Sequence, residues 1–174
     1  MPSRAVLIVV APERFRDEEL LEPKRALLAG GHRVIVASTR PGRASGMLGA
    51  EVVTDSAVSA IAADAVEALV IAGGAGSPAH LWDSEPLRAL VRKVHAAGRP
   101  VAAICLSPPV LARAGVLSGC RATTWPAARA VLELRRGGAT YVKEPVVQDG
   151  SIVTADGPEA APAFGAALVN LLGS

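Results

Sequence analysis

Short apolar runs rich in β-branched residues alternate along this chain with segments of helical periodicity, and that alternation restricts it to a parallel sheet covered by helices. Arg4–Val10 is a continuous run of the kind found in strands buried on both faces. Asp17–Ala29 follows, with Leu20, Leu21, Leu27 and Leu28 at helical spacing and Gly30-Gly31 to end it. Asp17 reads as its N-cap, and Glu18 and Glu19 suit the positive end of the helix dipole. Pro23 predicts that this helix starts late or kinks. Arg33–Ala37 is a second strand, Arg40–Ser45 a loop, Glu51–Thr54 a short edge strand, and Ala68–Ala72 a core strand closed by Gly73-Gly74. Further on come a helix over Pro86–Ala97, a buried strand over Val101–Cys105, a helix over Pro108–Ala114, a strand over Arg121–Thr124 and a helix from Pro126 to Arg136. Val146–Val147 and Ser151–Ala155 read as a hairpin whose Asp149-Gly150 favours a type I′ turn, and Pro158–Leu172 as a closing helix. With 174 residues and no repeat or linker, the expectation is one α/β domain over residues 1–174. Ligands of such a sheet bind at the carboxyl ends of its strands, which selects the segments after Val10, Ala72, Ile104, Thr124 and Ala155.

Composition removes several functional classes. Lys+Arg number 18 and Asp+Glu 16, spread along the chain, so no basic stripe for nucleic acid stands out. No apolar run approaches the roughly 18 residues needed to cross a bilayer. The opening run ends at Pro12 without a cleavage-site pattern, so no signal peptide is read. Two cysteines in unrelated contexts make neither a disulfide framework nor a metal site, and the expectation is a cytoplasmic protein with reduced thiols, no metal and no organic cofactor.

Chemistry concentrates at Val101-Ala102-Ala103-Ile104-Cys105-Leu106-Ser107-Pro108-Pro109. A strand of small residues runs straight into a cysteine, and two prolines open the helix behind it, the pattern of a nucleophile elbow. A thiol at a helix N-terminus meets unpaired N–H groups that favour thiolate. Cys105 therefore reads either as a nucleophile or as an inert buried cysteine. Gly73-Gly74 either brings backbone N–H groups close to a ligand or forms a plain turn; on the first reading the N–H groups of Gly74 and Leu106 make an oxyanion hole. His80, in the loop after the glycine pair, either reaches the site or has no catalytic part. Asp156 either lines the pocket or caps the last helix. Trp82 and Trp125 are packing groups, with Trp125 walling the pocket, and Cys120 is an incidental exposed thiol. No G-x-G-x-x-G follows a strand, which argues against a dinucleotide site.

These pieces occur in an order that resembles the ThiJ/PfpI superfamily over essentially the whole chain. The likeness rests on Phe15-Arg16-Asp17-Glu18-Glu19-Leu20 with Pro23, Ala72-Gly73-Gly74, Ala102-Ala103-Ile104-Cys105, Gly115-Val116-Leu117 before Ala122-Thr123-Thr124, and Val147-Gln148-Asp149-Gly150. It implies a flavodoxin-like three-layer sandwich, a mostly parallel sheet with helices on both faces, assembled as a homodimer or larger homo-oligomer. It places the family's cysteine at Cys105 and its acidic partner at Glu19, which beside a thiolate is expected to be protonated. The implied activity is that of a cysteine-dependent hydrolase or lyase on small carbonyl or acyl substrates, either glyoxalase- or deglycase-like or an amidase or peptidase. Two positions depart from the pattern: Leu106 and Trp125 stand where protease-like and deglycase-like members carry histidine, and Ser107 replaces the elbow glycine. The other reading is a redox-sensing or chaperone-like stress-response protein that uses an oxidisable Cys105.

Overall fold

The computed structural model describes residues 3–54 and 56–173. In chain order its elements are β1 (Ala5–Val9), β2 (Glu13–Phe15), α1 (Asp17–Ala29), β3 (Val34–Ala37), β4 (Gly42–Gly46), β5 (Glu51–Thr54), β6 (Val66–Ile71), α2 (Ser77–His80), α3 (Glu85–Ala96), β7 (Val101–Ile104), α4 (Pro108–Ala114), β8 (Arg121–Ala122), α5 (Ala128–Arg136), β9 (Thr140–Tyr141), β10 (Val146–Asp149), β11 (Ile152–Ala155) and α6 (Ala161–Leu172). The central sheet has the order β10-β11-β7-β6-β1-β3, parallel throughout except for the edge strand β10. Strand order reverses between β1 and β6, the place where doubly wound sheets open a crevice at their carboxyl ends.

Alternation along the strands splits the core into two faces. Leu7 and Val9 of β1, with Leu69 and Ile71 of β6, pack with Leu87, Val91, Val110, Leu111 and Leu134 from α3, α4 and α5. Val6 and Ile8, with Ala68 and Val70, pack instead with Leu20 and Leu27 of α1 and Phe164 and Leu168 of α6. Side chains of opposite parity thus serve opposite helix layers, which is why these strands read as unbroken apolar runs.

Three local expectations are corrected. Arg40–Ser45 is not a loop: Gly42–Gly46 forms β4, antiparallel to β5 and parallel to β2, so pairing supplies the order that its glycines and arginine do not signal. Helix α1 does not start late at Pro23; it begins at Asp17 and carries Pro23 inside it. Packing against α6 overrides the local penalty, with Gly165 approaching so closely that a Cβ there would lie 3.2 Å from the Pro23 Cα. The hairpin loop is Gly150-Ser151, with φ +59 at Gly150 and Asp149 paired to Ile152, so positive φ falls at the first central position alone, as in a type II′ turn.

Asp17 is not an N-cap either. Arg16 occupies that position, and the Asp17 carboxylate accepts the backbone N–H groups of Leu48 (3.0 Å) and Ala50 (2.8 Å), anchoring the turn between β4 and β5. Asp17→Ala strands both donors and is expected to lower stability by about 1–3 kcal/mol, measurable by urea denaturation. Among the described residues no helix is long and apolar enough to cross a membrane, and no group of three or more His, Cys, Asp and Glu side chains is placed to hold a metal ion.

Candidate active site

Cys105 follows β7 with φ +63, and Arg14 is the other non-glycine residue in this region among those described. Such a conformation costs of order 1–3 kcal/mol and persists only where the surroundings enforce it. Here they do so at each backbone group. The Cys105 N–H donates to the Ala155 carbonyl at the end of β11 (2.9 Å), and the Cys105 carbonyl accepts from the Trp125 N–H (2.9 Å) and the Thr124 hydroxyl (2.7 Å). The Leu106 carbonyl accepts from the Ser77 hydroxyl (3.2 Å) and the Trp82 indole N–H (2.6 Å). Ser107, fully buried, donates to the Ala72 carbonyl (2.7 Å) and shares a 2.8 Å hydrogen bond with Ser77. The elbow is thereby tied to the loop that carries Gly73 and Gly74.

Glu19 reaches the same point from the first turn of α1 and has no exposed surface. Its Oε2 accepts the Gly73 N–H at 2.8 Å, whereas the buried Oε1 has no well-formed hydrogen bond to nitrogen or oxygen. The Cys105 side chain adjoins this carboxyl at Gly73, and the charges of Arg16 and Glu18 also act on it. Burial is the main reason that Glu19 is pushed up from 4.5 to about 7, against the lowering effects of the Gly73 N–H and the thiol. The thiol is also pushed up, first by burial and then by the negative charge of Glu19, while the nearby N–H groups of Gly74 and Leu106 pull it down. The depressed thiol expected of a helix N-terminus is therefore reversed, and an ionised Glu19 adds to the effect of burial. Carboxyl and thiol compete for one proton and titrate as a pair.

Both glycines of the pair are demanded by close approach. A Cβ on Gly73 would lie 2.5 Å from the Ile104 carbonyl oxygen and 2.7 Å from both the Cys105 Cβ and Glu19 Oε2. Gly73→Ala must part the carboxyl from the thiol, and a stability loss of about 1–3 kcal/mol is expected in a denaturant titration. Gly74 has φ +109 and lies against the backbone of residues 14 to 16, where a Cβ would come within 2.4 Å of the Arg16 nitrogen.

Cys105 opens into a cavity of about 150 Å³, walled by Arg16, Met47, Gly74, Leu106 and Trp125 with Pro158 at its side. A second cavity, about 200 Å³, lies away from these groups among Ala5, Leu7, Ile35 and Val66, and has no ionisable side chain in its walls. The model of the DJ-1/PfpI family matches residues 4–171.

The chain belongs to the DJ-1/PfpI family. It is 44% identical over 165 residues to an uncharacterised protein of Methanocaldococcus jannaschii, covering 95% of this chain and 80% of that one. A deglycase of Pyrococcus abyssi is 34% identical, with 87% and 90% covered. The crystal structure of a ThiJ/PfpI domain protein from Brachyspira murdochii superimposes with a TM-score of 0.92 at 31% identity, covering 98% of this chain and 96% of that one.

Within this DJ-1/PfpI fold the sequence-derived candidates divide. Cys105, Glu19, Gly74 and Leu106 converge, and Trp125, 44% exposed, walls the cavity. Ser107 does not face it, because its hydroxyl is used inside the elbow. His80 is turned to Glu13, 3.1 Å away, and does not line the cavity. Asp156 also stays outside the lining and makes no side-chain cap, since Gly157 holds the cap position of the short Pro158–Ala160 turn that leads into α6; partial burial holds its carboxyl above the ordinary range. Trp82 is buried packing, as expected, but its indole N–H on the Leu106 carbonyl was not legible from spacing. Cys120 is half-buried rather than exposed. Sequence reasoning also missed Arg16 as a cavity residue, although its place beside Glu19 on the segment after β1 offered the signal.

Proposed function

We propose that this chain is a cysteine-dependent enzyme acting on small carbonyl compounds, with chemistry of the glyoxalase and deglycase kind. The observation that carries this reading is the gathering of Cys105, the Gly74 and Leu106 backbone and one buried carboxyl, Glu19, at a single point beside the cavity. The deglycase relative supports the substrate class.

The Glu19–Cys105 pair releases its first proton near neutral pH and its second far above, so one negative charge is shared between the two groups. Attack begins as the thiol proton passes to the Glu19 carboxylate and a sulfur–carbon bond forms. The carbonyl π electrons move to oxygen, which lies on the carbon next to the sulfur and so within reach of the Gly74 and Leu106 N–H groups. Glu19 returns the proton to that oxygen, giving a thiohemiacetal. With a 2-oxoaldehyde, Glu19 then carries the C–H proton of the sulfur-bearing carbon to its neighbour, while the proton of the new hydroxyl passes to the neighbouring carbonyl oxygen. The result is a thioester that water cleaves to a 2-hydroxy acid, an internal redox change that needs no outside oxidant. Amide or peptide cleavage fits less well. An amine leaving group needs a proton donor of its own, and none of His32, His80 and His95 lines the cavity. By the family resemblance we read the working unit as a cytoplasmic homodimer or larger homo-oligomer.

The same N–H donors would stabilise an oxidised Cys105 sulfur, which favours redox sensing as the second reading. Assays with methylglyoxal, chromogenic amides and chromogenic peptides separate these outcomes. Methylglyoxal turnover that depends on Cys105 is expected. Amide or peptide turnover without dicarbonyl turnover overturns the reading, and selective peroxide oxidation of Cys105 with no turnover replaces it by the sensor.

A further inference from the structure

Two large apolar side chains in the lining of the cavity beside Cys105 are left half-exposed. Met47 and Trp125 are each 44% exposed, and with Ala75, Leu106 and Pro158 they give the cavity a surface almost wholly of carbon. Arg16, the one charged residue in the lining, has its guanidinium paired with the two oxygens of Glu18, at 2.7 and 3.2 Å. A carboxylate or a polyhydroxylated group entering here would shed its water and find no partner among these walls. It would also approach the negative charge that Glu19 and Cys105 share.

Trp125 is held against the nucleophile at three points. Its N–H donates to the Cys105 carbonyl (2.9 Å), and its carbonyl accepts the Ala127 N–H (2.8 Å). Its six-membered ring rests on Gly157, where a Cβ would lie 2.8 Å from both Cε3 and Cζ3. Gly157 has φ 170, extended backbone open to any residue, so the room taken by the indole is what calls for glycine there. Burial does not account for so fixed a ring, since nearly half of its surface stays in water.

We infer that Trp125 is the specificity-determining residue of this site, and that the substrate is an uncharged 2-oxoaldehyde bearing an aryl or branched alkyl group, which lies against the indole while the aldehyde carbon meets Cys105. This rests on the cavity being the substrate site. Its volume of about 150 Å³ is the size that accepts one benzene ring. A flat ring gains from stacking on the indole as well as from leaving water. The methyl group of methylglyoxal covers little of that surface, so methylglyoxal is the poorer substrate.

The test needs no turnover. Rates of Cys105 alkylation by iodoacetamide and by its N-phenyl derivative are compared, followed on the peptide that contains Cys105. Both reagents are uncharged and need the same thiolate, so their rate ratio cancels any change in thiol ionisation. The native ratio of phenyl reagent to iodoacetamide is expected to exceed that of the urea-unfolded chain by about tenfold or more. Trp125→Ala should return it to the unfolded value, and Trp125→Phe should keep part of the preference. Gly157→Ala, which displaces the ring without straining the backbone, should lower it. Iodoacetate should be disfavoured against iodoacetamide relative to the unfolded chain. A native phenyl preference equal to the unfolded one, a preference that survives Trp125→Ala, or a gain for iodoacetate overturns the proposal. So does a preference that vanishes as protein concentration rises, because a second copy of the chain then covers the indole. Turnover of methylglyoxal without the phenyl preference refutes the specificity alone. The preference without turnover of methylglyoxal or phenylglyoxal refutes the enzymatic reading and leaves the selectivity of the Trp125 wall standing.

Discussion

Cys105→Ala is expected to lower methylglyoxal turnover at least about a thousandfold while leaving the protein folded. The loss is chemical, because alanine has no atom to bond the carbonyl carbon. The fold survives because the contacts that hold the elbow are made by backbone groups, those of Cys105 to Ala155, Thr124 and Trp125, and by the Leu106 carbonyl. A companion variant separates chemistry from architecture. Cys105→Gly is equally inactive but adopts φ +63 without strain, so it should be more stable than Cys105→Ala by about 1 kcal/mol in chemical denaturation. Equal stability of the two variants would mean that the elbow is not under backbone strain. Turnover surviving in both would remove Cys105 from the reaction.

Glu19→Gln is expected to pull activity and stability in opposite directions. Glutamine keeps an oxygen to accept the Gly73 N–H but cannot take or return a proton, and turnover should fall by about 100- to 10,000-fold. Native Glu19 titrates at about 7 against an ordinary 4.5. Below the ordinary value, folded and unfolded chains both hold the proton and the difference vanishes. Between the two values the folded chain holds a proton that the unfolded chain has lost, so stability falls as pH rises, and the full penalty is present above about 7. Burying this charge costs about 3 kcal/mol there. Glu19→Gln should therefore melt above the native protein at pH 8 and converge on it near pH 4. The inflection near pH 7 in the rate of Cys105 alkylation should be lost in the same variant. A stability difference between the two proteins that does not vary with pH would count against a buried, uncompensated carboxylate.

The sheet was legible because strands buried on both faces leave little freedom in composition: Ala5–Val9, residues 68–71 and Val101–Ile104 can only be interior. Helix α4 was legible to the residue, since Pro108 and Gly115 mark its two ends. Less visible was anything created by pairing between distant segments, such as β4, whose Gly-Arg-Ala-Ser-Gly sequence has no strand character until β5 folds onto it. At the site, Gly74 and Cys105 could be picked out because each follows a strand end, whereas Glu19 emerged only from the family resemblance, its first-turn position alone suggesting a carboxylate that complements the helix dipole. Their supports could not. Ser77 and Trp82 meet the Leu106 carbonyl across 29 and 24 residues of sequence, and Thr124 meets the Cys105 carbonyl across 19. The ionisation of the thiol was misjudged because helix-end N–H groups are local and readable, whereas the burial that outweighs them is a property of the whole fold.

The grip of Asp17 on the turn between β4 and β5 separates two design problems. Its carboxylate holds only main-chain amides, those of Leu48 and Ala50, so the side chains at 47 and 48 are not needed for that anchor. Met47 forms a wall of the cavity and is absent from the groups that act on the Glu19–Cys105 pair, its one polar contact there being the Ala75 N–H that its sulfur accepts (3.5 Å). Substrate range can thus diverge by exchanging residues on this one hairpin while the sulfur, the carboxyl and the two amide donors stay as they are, which makes position 47 the natural place to begin randomising for new substrates.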